Sequence, residues 1–412
     1  MGIKMTTIVK KFGGSSVASP EKMHGIVERI LRERKPGDRI VIVVSAMGDT
    51  TDDLLSLAKK VNPDMPKREM DMLLATGEQM SIALLASAFM AHGQPAVSFT
   101  GPQAGIKTND KYTKATIEDV NSEKVNKALD EGKIVIVAGF QGIAPNGDIT
   151  TLGRGGSDTT AVAMAAGLKA DVCDIYTDVD GVYTADPRIV PHAHKLQEIT
   201  FGEMLELARL GAGVMQPRAV EFGEHNDVVI QVRSTFHDVP GTIIRREYTV
   251  QEKGVVIRGI AHDTNVVKVA VRGVPDRPGV AFEIFKALAD ANISVDMIVQ
   301  SARATDNKND ILFTVNQTDL VDATGVMETL KDEMHFDRFD VEINVAKVSV
   351  VGAGMLGNPG IAAGMFGALA KAGVNIAVIS TSEISISCLI PEKDVKKAVN
   401  AIHDYFFPYN GK

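Results

Sequence analysis

Thr150-Thr151-Leu152-Gly153-Arg154-Gly155-Gly156-Ser157-Asp158-Thr159-Thr160-Ala161 (TTLGRGGSDTTA) runs from a strand-like start through a glycine-rich turn into the opening of a helix. Lys11-Phe12-Gly13-Gly14-Ser15-Ser16 repeats the design near the start of the chain, after the apolar run Ile8–Phe12. Such a turn leaves backbone N–H groups unpaired and aims the positive end of a helix at an anion. Two of them in one domain imply two anions held face to face. Lys11 accompanies the first, and Arg154 followed by Asp158 the second. A helix dipole alone accounts for an acid at Asp158. It does not account for Gly153, Gly155 and Gly156 around one arginine, whose planar guanidinium suits a two-point clamp on a carboxylate.

Outward from these turns the chain alternates. Apolar runs at Ile8–Phe12, Arg39–Val44, Ala96–Phe99, Lys133–Ala138 and Asp171–Tyr176 predict strands. Helical patterns at Glu21–Arg34, Thr51–Lys60, Arg68–His92, Asn121–Glu131 and Ser157–Leu168 lie between them. The alternation predicts an α/β layered domain with a mainly parallel sheet, whose ligands collect beyond the carboxyl ends of the strands. Val228–Val232 and Gly241–Ile244 close the domain at residue 245, and the charged stretch after it reads as a linker, 246–263.

The remainder repeats itself. Val267–Gly273, Pro278-Gly279, Val280–Ala289 and Ile293–Val299 return as Lys347–Gly352, Pro359-Gly360, Ile361–Ala370 and Val374–Ile379. Each copy adds a strand (Ile311–Val315; Ile384–Ile390) and a helix (Leu320–Glu333; Lys393–His403). Two α+β modules of the βαββαβ, ferredoxin-like type follow, at 264–343 and 344–412. The last strand of the second copy is poorly marked, so the modules are expected to share or exchange strands.

Further segments carry chemistry in company. Ser45-Ala46-Met47-Gly48-Asp49-Thr50-Thr51 follows a strand and opens a helix with hydroxyls. Thr76-Gly77-Glu78 places an acid inside a long apolar helix, where it needs either solvent or a polar partner. Tyr176–Arg188 (YTDVDGVYTADPR) ends a strand in two acidic turns. It lacks the oxygen ligands of a calcium loop. There is no G-x-x-x-x-G-K-[ST], which disfavours a P-loop. Gly352-Ala353-Gly354-Met355-Leu356-Gly357 matches G-x-G-x-x-G, but the homologous Gly273–Pro278 turn lacks the pattern, and a dinucleotide site is rejected.

The 412 residues carry a net charge of −8, with 45% hydrophobic and 23% charged residues. That balance argues against nucleic acid or an acidic membrane as partner and leaves anionic small molecules open. Cys173 and Cys388 sit in apolar runs as reduced core thiols of a cytoplasmic protein.

Taken together, K-F-G-G-S-S, S-A-M-G-D-T-T-D, T-G-E, T-L-G-R-G-G-S-D-T-T-A and Y-T-D-V-D-G-V-Y-T-A-D-P-R resemble the aspartate kinase family, of the amino-acid kinase fold. The duplicated modules resemble its ACT regulatory pair, and the likeness spans the chain. It implies ATP-dependent phosphorylation of the L-aspartate side chain to 4-phospho-L-aspartate, the entry to lysine, threonine, methionine and diaminopimelate. Lys11 and Asp158 are then catalytic. Ser45, Thr51, Glu78, Arg154, Gly155, Gly156 and Ser157 shape the aspartate pocket. ATP, with Mg²⁺ carried on its phosphates and no protein-held metal, lies against Lys11, Phe12, Gly13, Gly14, Thr177, Asp178, Tyr183, Thr184, Ala185, Asp186, Pro187 and Arg188. Lysine, threonine or both inhibit at Asp276, Gly279, Val280, Ser294, Asp296 and Gln300 of one module and at Ile361, Ala362, Asn375, Ile376 and Ser382 of the other. The chain departs from relatives at Ala362, where Thr is common, and at Ser385, where a basic residue is common. A homo-oligomer through the ACT modules, or partnership with an ACT-only subunit, is also implied.

Two rival readings remain at this point. Another amino-acid kinase, such as a glutamate kinase or a carbamate-forming relative, fits the first half but not the ACT pair. A non-catalytic amino-acid sensor fits the second half but leaves Lys11, Arg154 and Asp158 without a purpose.

Overall fold

Apolar runs with no polar alternation become strands covered on both faces, and here they build one large sheet. The computed structural model describes residues 5–248, 256–301, 308–355 and 358–408. These cluster into two units, with Tyr183–His194 and Arg209–Ala212 grouped with the C-terminal one. In the first unit the order begins β1 (Thr7–Phe12), α1 (Pro20–Glu33), β2 (Arg39–Val44), α2 (Thr50–Val61), α3 (Lys67–Ala91) and β3 (Ala96–Phe99). It continues as β4 (Ile106–Thr108), β5 (Ile117–Val120), α4 (Glu123–Asp130), β6 (Ile134–Ala138), β7 (Gln141–Ile143) and β8 (Ile149–Thr151). Then come α5 (Gly156–Leu168), β9 (Val172–Thr177), β10 (Glu198–Thr200), α6 (Phe201–Arg209), α7 (Pro217–His225), β11 (Ile230–Ser234) and β12 (Thr242–Arg245).

The large sheet has the order β10-β12-β11-β9-β1-β2-β6-β3. Its six strands from β11 to β3 run parallel, and β12 is antiparallel to β11. From β1 the chain leads to β2 on one side, whereas from β9, its neighbour on the other side, it leads on towards β11, so the crevice beyond Phe12, Val44 and Thr177 is a switch point of the topology. Helix α5 lies against β1, β2 and β9. It is buried from Gly156 through Ala165, as a helix without a polar face must be.

A second sheet, β5-β4-β7-β8, was not expected from the sequence. Its strands are three or four residues long, too short for a periodic signal. Its role is positional, because β8 ends at Thr151 and delivers the chain into the glycine turn. Helix α3 is long and apolar enough to cross a membrane by length and composition. Here it packs against β3, β6 and β8 and carries two buried acids, Asp71 and Glu78.

The second unit contains β13 (Gly259–Asp263), β14 (Val266–Pro275), α8 (Val280–Asp290), β15 (Val295–Gln300), β16 (Lys308–Asn316), α9 (Leu320–Met334) and β17 (Arg338–Glu342). It ends with β18 (Val345–Val351), α10 (Ile361–Lys371), β19 (Val378–Thr381), β20 (Ser385–Pro391) and α11 (Val395–Phe406). The first module is a contiguous βαββαβ fold with sheet order β15-β16-β14-β17. The second has the order β13-β18-β20-β19. Its missing strand is therefore not downstream. It is β13, which lies inside the stretch read as a linker and pairs antiparallel with β18, Gly259 opposite Val351 and Asp263 opposite Lys347. The first module is thus inserted between two strands of the second. Val266, Met297, Val345, Val378 and Leu389 form an apolar seam joining the two. Of the G-x-G-x-x-G segment, Leu356 and Gly357 lie outside the described residues. Gly352 sits where an added Cβ would come 2.0 Å from the Val256 carbonyl oxygen. Its glycine thus serves close packing of backbone on backbone.

Candidate active site

Gly155 caps α5 in the left-handed region, at φ 66°. A side chain there would be strained and would also collide with Gln216. Gly14 faces the turn after β2 so closely that a Cβ would lie 2.7 Å from the Ala46 carbonyl oxygen. These two approaches bring the carboxyl ends of β1, β2 and β8 around a single cavity of about 540 Å³. Its walls include Lys11, Ser45, Thr51, Glu78, Arg154, Gly155, Gly156, Ser157 and Asp158. Every residue expected to touch the carboxylate substrate is therefore in one place, with both expected catalytic groups.

Lys11 leaves the end of β1 and forms an ion pair with Asp158, in the first turn of α5, at 2.7 Å. Both side chains are largely shielded from solvent, which strengthens the pair over an exposed one. Arg154 is exposed and has no ion pair among the described residues, so its guanidinium is available to an incoming acid.

Glu78 is the opposite case. It is 3% exposed. One carboxylate oxygen accepts the Ala46 N–H at 3.1 Å, and the other is buried without a hydrogen-bond partner. Burial outweighs that hydrogen bond and lifts its pKa from the usual carboxylate range to about 7. The fold thus favours neutral Glu78, and this contribution to stability is complete below pH 4.5 and lost as pH rises toward 7. An ammonium group beside it would reverse the balance and favour the carboxylate. Affinity for an amino-acid substrate should then rise about tenfold per pH unit on approaching pH 7 from below, and level off above it. Initial rates measured against pH check this, and Glu78→Gln should flatten the profile while raising KM. A wild-type KM independent of pH across that window contradicts the ammonium role.

Asp71 went unnoticed in the sequence. It is wholly buried on α3 and accepts bonds from the Thr113 N–H, the Thr151 N–H and the Thr151 hydroxyl, at 2.6–3.0 Å. Those bonds tie the end of β8 to α3 and set the entry to the Gly153–Gly156 turn. The available signal was its spacing of seven residues from Glu78, which puts both acids on one face of an apolar helix.

Residues 6–234 match the model of the Amino acid kinase family, and residues 267–329 and 348–406 each match that of the ACT domain. Aspartokinase from Bacillus sp. (strain MGA3) is 50% identical over 402 residues, covering 98% of this chain and 97% of that protein. Aspartokinase 2 of Bacillus subtilis (strain 168) is 49% identical with 98% of both covered. The crystal structure of E. coli aspartokinase III in complex with aspartate and ADP superposes with a TM-score of 0.81 at 26% identity, covering 97% of this chain and 100% of that one. The chain belongs to the aspartokinase family.

The nucleotide residues expected of an aspartokinase are less concentrated than the substrate set. Phe12 is wholly buried and stacks on Tyr176 at 4.4 Å, and its carbonyl accepts the Ser45 N–H. Both contacts fix the strand end, and the side chain itself faces the core. Gly13 and Gly14 stay next to Lys11, and Thr177 with Asp178 ends the neighbouring β9, joined by a 2.9 Å hydrogen bond. Tyr183–Arg188 are grouped with the second unit. There Thr184 and Ala185 are buried, and Asp186 accepts from the Arg188 side chain at 2.8–3.1 Å.

Of the effector residues, Asp276, Gly279, Val280 and Gln300 line one cavity of about 120 Å³ beside the start of α8. Asn309, on the same wall, has a buried side-chain oxygen without a hydrogen-bond partner. Ser294 and Asp296 do not line that cavity, and Asp296 forms an ion pair with Lys347. In the second module Gly360 caps α10 at φ 108°, as Gly279 caps α8 at φ 97°. Ile361, Ala362 and Ile376 pack against the module core. Asn375 and Ser382 are exposed.

Proposed function

We propose that the chain transfers the terminal phosphoryl group of ATP to the side-chain carboxylate of L-aspartate, giving 4-phospho-L-aspartate and ADP. The reading rests on one observation. A paired lysine, an arginine without an ion pair among the described residues and a buried half-satisfied glutamate share one cavity with three glycine-turn residues. The acceptor carboxylate is already ionised, so no general base is needed and the barrier is repulsion between anions. Arg154 clamps the α-carboxylate, Glu78 receives the ammonium, and Ser45, Thr51 and Ser157 bound the pocket. Lys11, steadied by Asp158, meets charge developing on the transferred group. Mg²⁺ enters on the nucleotide phosphates and supplies further neutralisation. Asp158 is engaged by Lys11. That E. coli aspartokinase III is bound by aspartate and ADP, and in another structure by lysine and aspartate, supports aspartate and an adenine nucleotide as ligands of the reaction here and lysine as an effector, in a cytoplasmic biosynthetic enzyme.

We further propose that lysine, threonine or both act at the α8 cavity and its counterpart, in an assembly made through the ACT modules with a second copy or an ACT-only chain. ADP release should follow addition of L-aspartate and not L-glutamate, and should fall when lysine and threonine are added. Absence of aspartate-dependent ADP release would overturn the enzymatic reading. Gln300→Ala should leave the basal rate intact and raise the inhibitory effector concentration about tenfold, the size of one lost hydrogen bond. Inhibition unchanged in that variant would remove the cavity from regulation.

A further inference from the structure

His192, His403 and Asp404 each bring one ligand atom within 4.8 Å of the others. They arrive from two places: His192 from the loop after Ala185, His403 and Asp404 from α11. All three belong to the second unit. His403 is wholly buried. Its Nε2 lies 2.9 Å from the Thr184 hydroxyl oxygen, which also accepts the His194 N–H at 2.9 Å. Its Nδ1 is buried with no hydrogen-bond partner. A buried imidazole nitrogen left this way costs free energy unless something fills its lone pair.

The surroundings suit a cation. In the tautomer that donates Nε2–H to the Thr184 hydroxyl oxygen, the lone pair falls on Nδ1, the second-layer arrangement that fixes a metal-binding histidine. The His192 ring meets that of His403 edge-on, with centroids 5.0 Å apart. His192 Nε2 and Asp404 Oδ1 are 2.9 Å apart, close to the edge of a tetrahedron built on bonds of about 2.0 Å, roughly 3.3 Å. Asp404 is exposed and His192 half-buried, so an ion can enter and the two can turn to meet it. His194, whose ring centroid is 6.3 Å from that of His403, is the further imidazole nearby. Two imidazoles and one carboxylate select borderline transition metals over magnesium or calcium.

We propose that His192, His403 and Asp404 form a binding site for a divalent transition metal, Zn²⁺ in the first instance, that fastens the Thr184–His194 segment to α11. The metal replaces the hydrogen bond between His192 and Asp404 and uses the idle Nδ1 of His403. The segment is already seated there by the Ile260 N–H bonded to the Thr184 carbonyl, the Asn400 amide bonded to the Ile189 carbonyl, and Ala185 and Val190 in the apolar core. A bound ion would close the same junction from its solvent side. The proposal stands independently of the reaction assigned to the cavity around Lys11.

The test is metal titration of the nucleotide-free full-length protein with Zn²⁺ alone, followed by calorimetry, and with Co²⁺, followed by visible absorption. One ion per chain and the intense d–d bands of a low-coordinate Co²⁺ site are expected. His192→Ala and Asp404→Asn, both at accessible positions, should weaken binding more than about 100-fold, beyond what loss of a supporting residue costs. Zn²⁺ at about ten times its dissociation constant should slow amide exchange across Thr184–His194 about tenfold, and this protection should vanish in His192→Ala. Wild-type uptake no greater than that of His192→Ala, or equal affinity in all three proteins, overturns the proposal.

Discussion

Lys11→Ala lowers kcat about 1,000-fold, the scale on which removal of a positioned charge stabiliser acts, while the KM for aspartate stays near its wild-type value. The reason lies in where the ammonium sits. It leaves the end of β1 and is held by Asp158 at 2.7 Å, on the opposite turn from Arg154. In the proposed reaction it would meet the charge that grows as the phosphoryl group moves, and would contribute little to holding the acceptor beforehand. Steady-state kinetics with aspartate varied at saturating ATP separates the two parameters. A raised KM with intact kcat would assign Lys11 to ground-state binding.

Arg154→Lys raises the KM for aspartate about 10- to 100-fold, because one point charge replaces a planar two-point clamp worth a charge-assisted hydrogen bond or more. Charge is conserved in this variant, so the effect isolates geometry. Arg154 has no acid to release among the described residues, so thermal melting should be the same as wild type. Unaltered aspartate saturation removes the guanidinium from the substrate.

The sequence exposes what long-range order repeats and hides what it does only once. Ile8–Phe12, Arg39–Val44 and Asp171–Tyr176 were legible as strands because a sheet covered on both faces demands unbroken apolar residues. They became β1, β2 and β9. The cavity around Lys11 and Arg154 was legible because its glycines cluster about one arginine at the start of a helix, where the structure needs them for a left-handed cap and a close backbone approach. The β5-β4-β7-β8 sheet was not, since three-residue strands such as Ile106–Thr108 carry no period. Nor was β13: Gly259–Asp263 is flanked by charge and gains its meaning only from β18, far along the chain. Asp71 escaped for a related reason. An acid in a helix looks solvated until the backbone donors of Thr113 and Thr151 are brought to it. The Tyr176–Arg188 segment was legible as a motif but not in its allegiance, because nothing in Tyr183–His194 announces that Ala185 and Val190 complete a core built by α10 and α11.

The upstream position of β13 imposes an order of events on biosynthesis. The strand leaves the ribosome long before β18, so the later domain waits, half-edged, while the intervening one folds. Folding of that insert brings the two waiting strands together and shortens the loop they must close, which lowers the entropy cost of the final pairing. A chain cut between Met334 and Val345 therefore leaves Gly259–Asp263 without its partner β18, a ready template for aggregation. Nascent-chain proteolysis should find the terminal domain protected only after Pro391 has emerged.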